Sequence, residues 1–168
     1  MTLPISAYLA NGEVPRRYGS GVEQIVPYQA FAAADGHIMV AAGNDNLFRR
    51  LCTAIGRPGL AEDPRFRTNS DRVVNRGALI VILSDLFAAE PIAVWAARLD
   101  AVGIPNGPIQ TVDQVVADAQ TAALGIVQRL GPLSLVGLPL SFDGARPPLA
   151  KSAPRLGEDN PEIVDRPR

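Results

Sequence analysis

With 168 residues, 47% of them hydrophobic and 20% charged, the chain is long enough to bury a core and too apolar to be disordered throughout. A net charge of -1 excludes the basic field expected of a nucleic-acid binder or of a protein drawn to an anionic membrane. Cys52 is the only cysteine, so no intrachain disulfide forms; no apolar run approaches the ~20 residues of a bilayer span, and no basic start with an apolar core marks a leader. The expectation is a soluble, cytoplasmic protein.

Residues 2–10 predict the last turns of a helix, and 11–24 a loop dense in glycine and polar groups. Two short apolar runs, 25–33 and 38–42, flank Asp35-Gly36 and predict a hairpin with positive φ at that pair. Asn44 or Asp45 then caps a helix whose face carries Leu47, Phe48, Leu51, Cys52 and Ile55, and Gly56 ends it in the left-handed conformation. Asn69 or Ser70 caps a helical region to about Ala89, striped by Leu79, Ile82, Leu83, Leu86 and Phe87; Gly77 weakens its middle enough to suggest two helices. Pro91 suits the first turn of a further helix, buried through Ile92, Trp95, Ala96 and Leu99 and ended by Gly103. Residues 103–108 are too rich in proline and glycine for regular structure. Thr111 and Gln114 have capping-box spacing, Gly125 closes the helix they start, and 126–130 and 134–142 read as strands about Gly131-Pro132. The proline-rich residues 143–168 have no period and predict an extended arm.

The sum is an α+β fold: a linker with a Gly-rich loop over 1–25, a small α+β domain over 26–103, and a second linker, strands and an extended arm over 104–168.

The residues capable of chemistry have ordinary explanations. His37, the only histidine, opens a strand, and Cys52 sits on the apolar face of a different helix. One histidine and one cysteine do not make a zinc site, and no phosphate-binding glycine motif occurs. Gly19-Ser20-Gly21 reads as a turn or as a flexible cover on a ligand, and Arg16-Arg17 as a solvated pair or a contact for phosphate or carboxylate. Asp35, Asp45, Glu62, Asp63 and Asp113 fall in turns, caps and first turns, none in a setting that activates a carboxylate.

Several segments, in order, resemble the class III CoA-transferases, the family of formyl-CoA transferase and carnitine-CoA transferase. They are residues 8–17; residues 26–31 with 35–38; Gly43, Asn44 and Asp45 with Phe48, Leu51 and Cys52; residues 63–66 with Asn69, Arg72, Asn75 and Arg76; residues 103–109; and Leu149 with Leu156, Gly157 and Glu158. Asp159 and Asn160 depart from the histidine and threonine common there, and Asn106 from a cysteine.

The resemblance implies the C-terminal part only of such an enzyme: the family's small domain, hairpin plus helices, with linkers and a return arm. It implies CoA transfer from an acyl-CoA to a carboxylic acid through an aspartate that forms a mixed anhydride and then an enzyme thioester. No residue of this chain matches that aspartate, so no catalytic residue and no metal ligand is assigned, and coenzyme A enters as substrate rather than cofactor. Gly19, Ser20, Gly21 and Gln24 align with the loop that covers the family's active site and are the candidate substrate contacts. The expected partners are acyl-CoA and carboxylic acids, with an N-terminal CoA-transferase half or a second copy in an interlocked dimer. The expectation is a truncated chain, inactive without its N-terminal half, with exposed apolar surface over 2–10 and 126–156. The alternatives are a non-catalytic binding module or remnant, and a hydrolase built on His37 and Cys52.

Overall fold

The computed structural model describes residues 2–164; residue 1 and the end of the expected arm, 165–168, lie outside the described residues. The chain divides into two compact units at Ile109/Gln110. The first holds helix α1 (Thr2–Asn11), strands β1 (Tyr28–Ala33) and β2 (Gly36–Ala41), helices α2 (Asp45–Ala54), α3 (Asn69–Val74), α4 (Arg76–Phe87) and α5 (Ile92–Ala101), and strand β3 (Asn106–Pro108). The second holds helices α6 (Val112–Ala117) and α7 (Ala119–Leu124), strands β4 (Val127–Leu130) and β5 (Leu133–Val136), and a last turn, α8 (Asn160–Ile163).

The core belongs to the first unit. An antiparallel sheet of order β1-β2-β3 turns Phe31, Ile38 and Val40 inward. Against them pack Phe48 and Leu51 from α2, Leu79, Leu83 and Phe87 from α4, and Trp95 and Leu99 from α5. These are the stripes that helical spacing marks in the sequence. Phe87 is the hub: its ring stacks on Phe31 at 4.9 Å and meets Trp95 edge-on at 4.9 Å, while the Trp95 indole N–H donates to the Phe87 carbonyl at 2.9 Å.

Several local expectations are corrected. Ala33 pairs with Gly36, so the hairpin turn is Ala34-Asp35, one residue earlier than expected. The Asp35 carboxylate instead accepts from the Ile92 N–H at 2.8 Å, and Ala34 N–H donates to Glu90 O, tying the turn to the start of α5. Thr68, not Asn69 or Ser70, caps α3: its hydroxyl accepts from Asp71 N–H while Asp71 accepts from the Thr68 N–H and hydroxyl. Those hydrogen bonds, led by the hydroxyl's, hold the Asp71 carboxyl below the usual carboxylate range. The break between α3 and α4 falls at Asn75, whose side chain donates to Arg65 O and Asp71 O; Gly77 lies inside α4 facing open space. Pro91 is the cap of α5 rather than its first residue. Residues 106–108, expected to be irregular, add a short third strand through pairing with β2.

Cys52 is fully buried on α2, and burial pushes its thiol up from 9.0 to about 11. His37 is exposed on β2, so the two share no surface and the hydrolase reading is set aside. Because the folded thiol holds its proton more tightly than the unfolded one, its share of stability is complete below pH 9 and declines as the pH climbs toward about 11. Cys52 is therefore expected to resist a thiol-reactive disulfide reagent at pH near neutrality until the protein is denatured; prompt labelling of the native chain would contradict the packing described.

In the second unit, the Thr111–Gln114 capping box forms as expected, and Gly125 closes α7 at φ +57. The helical stretch is interrupted at Asp118, which leaves the helical conformation and caps α7 through Gln120 N–H. β5 ends at Val136, short of the expected 142. Its residues are all exposed, as are Leu138, Leu140 and Phe142 and, in the first unit, Leu3, Ile5, Tyr8 and Leu9.

Candidate functional site

The loop carrying Gly19, Ser20, Gly21 and Gln24 leaves α1 and enters β1. Gly21 N–H bonds Tyr18 O at 2.9 Å across a turn with Gly19 at its first central position and φ +60, the conformation that favours glycine. The Ser20 hydroxyl accepts from Ala30 N–H at 3.0 Å, which fastens the turn to β1, and Val22 N–H bonds Tyr28 O at 3.1 Å. Gly19, Gly21 and Gln24 line a groove of about 570 Å³ together with Pro4, Arg16 and Arg17; Ser20 is turned to the hairpin instead.

This segment is fastened from α3 and α4, and the sequence reading missed the residues that fasten it. Asn69, Arg72 and Arg76 project from α3 and α4 and each takes a stretch of the loop backbone. Asn69 donates to Gln24 O at 2.7 Å and accepts from Val26 N–H at 3.1 Å, so one amide satisfies a donor and an acceptor two residues apart. Arg72 is the one buried charged residue among the described residues. Its Nε donates to Val26 O at 2.6 Å, Nη1 to Phe66 O at 3.0 Å and Nη2 to Asp45 at 2.9 Å, with the guanidinium over the Phe48 ring at 4.4 Å. Arg76 Nη2 bridges Val22 O at 2.6 Å and Glu23 O at 2.7 Å, and its guanidinium lies over the Tyr18 ring at 4.5 Å. Gly21 makes room for the turn itself: a Cβ there would come to 3.0 Å of Tyr18 O. The only trace of this in the sequence was the spacing of the three polar residues along one helical region.

Asn69→Ala is expected to cost about 1–3 kcal/mol, the loss of two hydrogen bonds at about 0.5–1.5 kcal/mol each. Amide exchange at Val26 should accelerate while that of α5 is unchanged. Equal protection in wild type and variant would refute the anchor.

None of the described acidic side chains is buried. Asp45 faces Arg72, Asp63 pairs with Arg65, Asp100 accepts from Asn106 and Asp118 caps α7.

Residues 1–160 match the model of CoA-transferase family III, and the chain belongs to that family. It is 34% identical over 169 residues to the succinyl-CoA:glutarate CoA-transferase of Mus musculus, covering 98% of this chain and 39% of that protein. It is also 34% identical over 155 residues to the acetyl-CoA:oxalate CoA-transferase of Acetobacter aceti, covering 92% of this chain and 40% of that protein. The crystal structure of a CAIB/BAIF family protein from Brucella suis superposes with a TM-score of 0.78 at 36% identity, over 97% of this chain and 43% of that one.

The chain thus spans about two fifths of the length of the curated relatives it matches. The expectation of a truncated, inactive C-terminal remnant is corrected: the likeness to CoA-transferases runs through 92–98% of this chain.

Proposed function

We propose that this chain serves the transfer of CoA from an acyl-CoA to a carboxylic acid, and that the acid is a dicarboxylate. The observation that carries the reading is the continuous family match over residues 1–160. The acid is suggested by the names of similar proteins, which pair a CoA thioester with glutarate, oxalate, mesaconate or D-citramalate, each a dicarboxylate.

Gly19, Gly21 and Gln24 are the proposed substrate contacts, with Ser20 holding their turn against β1. Arg16 and Arg17 beside them supply positive charge for an acid or a phosphate. The proposed working assembly contains a second chain, either another copy or a CoA-transferase chain. The exposed apolar residues of α1 and of β5 with Leu138, Leu140 and Phe142 support that, because a surface of this kind is normally covered by protein.

The test is a transfer assay on the native protein in the assembly it forms, with succinyl-CoA or acetyl-CoA as donor and glutarate, oxalate, mesaconate and a monocarboxylate as acceptors. Mass spectrometry of the new CoA ester reads the outcome. The expected result is a new thioester with at least one dicarboxylate and little with the monocarboxylate. Absence of any new thioester, with the protein folded, overturns the reading.

A further inference from the structure

The grip of Arg76 on two successive carbonyls has a consequence for the other side of the same peptide units. The Val22–Glu23 and Glu23–Gln24 bonds are trans, the one cis bond among the described residues being Val26–Pro27. In a trans peptide the N–H points opposite to the C=O. With Val22 O and Glu23 O both turned to Arg76 Nη2, the N–H groups of Glu23 and Gln24 are both turned away from it. Neither amide has a hydrogen-bond partner among the described residues. Both residues line the groove that Arg16 and Arg17 also line, where two positive charges stand against the one carboxylate of Glu23. Adjacent backbone donors facing one way form a concavity suited to a negatively charged oxygen.

We infer that Arg76 is a positioning residue that sets the amides of Glu23 and Gln24 as a paired donor site for an oxyanion, either a carboxylate or a phosphate. The inference rests on the reading of this loop as a substrate contact. Tyr18 completes the device: its ring supports the guanidinium from one face.

The experiment is a titration of the ¹⁵N-labelled protein with succinate, with inorganic phosphate and, as a neutral control, with succinamide. The Glu23 and Gln24 amide resonances are expected to move with at least one anion and to stay in place with succinamide; which anion acts identifies the source of the oxygen. In Arg76→Met, half-saturation should rise at least about tenfold, the scale of one lost charge-assisted interaction. Movement of neither amide with either anion overturns the inference, as does unchanged half-saturation in a folded Arg76→Met protein. If that variant does not fold, Gln24→Pro carries the test, since it deletes one donor N–H and keeps the guanidinium and the Glu23 carboxylate; undiminished binding there is equally fatal. The titration needs no turnover. CoA transfer without anion binding at these amides sinks this inference alone, whereas anion binding without transfer sinks the proposed reaction alone.

Discussion

Arg72→Met is expected to destabilise the protein by about 2–6 kcal/mol, chiefly by leaving two buried carbonyls without a donor. The side chain is fully buried and feeds three segments of the first unit: the entry to β1 through Val26 O, the loop before α3 through Phe66 O, and the start of α2 through Asp45. Its ion pair is the smaller part of the effect, because Asp45 is 46% exposed and water screens it. The larger part is the orphaning of the carbonyls, each costing about 1–3 kcal/mol when buried without a donor. Two controls separate these contributions. Asp45→Asn should cost less than about 1 kcal/mol, as for a solvent-screened pair. Arg72→Lys should recover little, since an ammonium lacks the planar fork that reaches Val26, Phe66 and Asp45 together. Urea unfolding midpoints measure all three, and an Arg72→Met loss no larger than that of Asp45→Asn would show that the carbonyls find other donors.

Phe87→Ala is the second large effect, about 3–5 kcal/mol for an aromatic-to-alanine truncation in a closed core. The ring is fully buried between the sheet and α5, where Phe31 and Trp95 are both large and held by their own backbones. Neither collapses readily into the space left, which places the cost toward the upper end. Trp95 is the only tryptophan, so its emission reports the change directly: a shift to longer wavelength in the folded variant is expected as the indole loses its edge contact. Phe87→Leu, which keeps most of the apolar volume, should lose less than half as much. A Phe87→Ala protein with wild-type midpoint and emission would show that the hub is elsewhere.

Elements set by local chemistry were legible in the sequence: the capping box at Thr111 and Gln114, the left-handed stops at Gly56 and Gly125, and the apolar stripes of α2, α4 and α5. Elements set by distant partners were not. β3 is a strand only because Asn106, Gly107 and Pro108 face Val40, Met39 and Ile38. The Asp-Gly turn rule was sound but misplaced. Asp35-Gly36 is passed over because Asp35 is drawn to Ile92, while Asp143-Gly144 takes positive φ at both residues between Phe142 and Ala145.

The candidate loop was found through the resemblance, but its fastening was hidden. A buried arginine runs against the usual exposure of charge, and nothing local to Arg72 or Arg76 announces acceptors 46 and 54 residues earlier in the chain.

The three anchors also fix how evolution and engineering treat this segment. Asn69, Arg72 and Arg76 work as a gauge whose marks must coincide with fixed points on the loop. Adding or removing one residue between Asn69 and Arg72 turns Arg72 by about 100° around the axis of α3 and moves it along that axis. The stretch from 69 to 76 therefore has a set length, whereas the exposed hairpin turn at Gly131, with open space at its glycine, is free to grow or shrink.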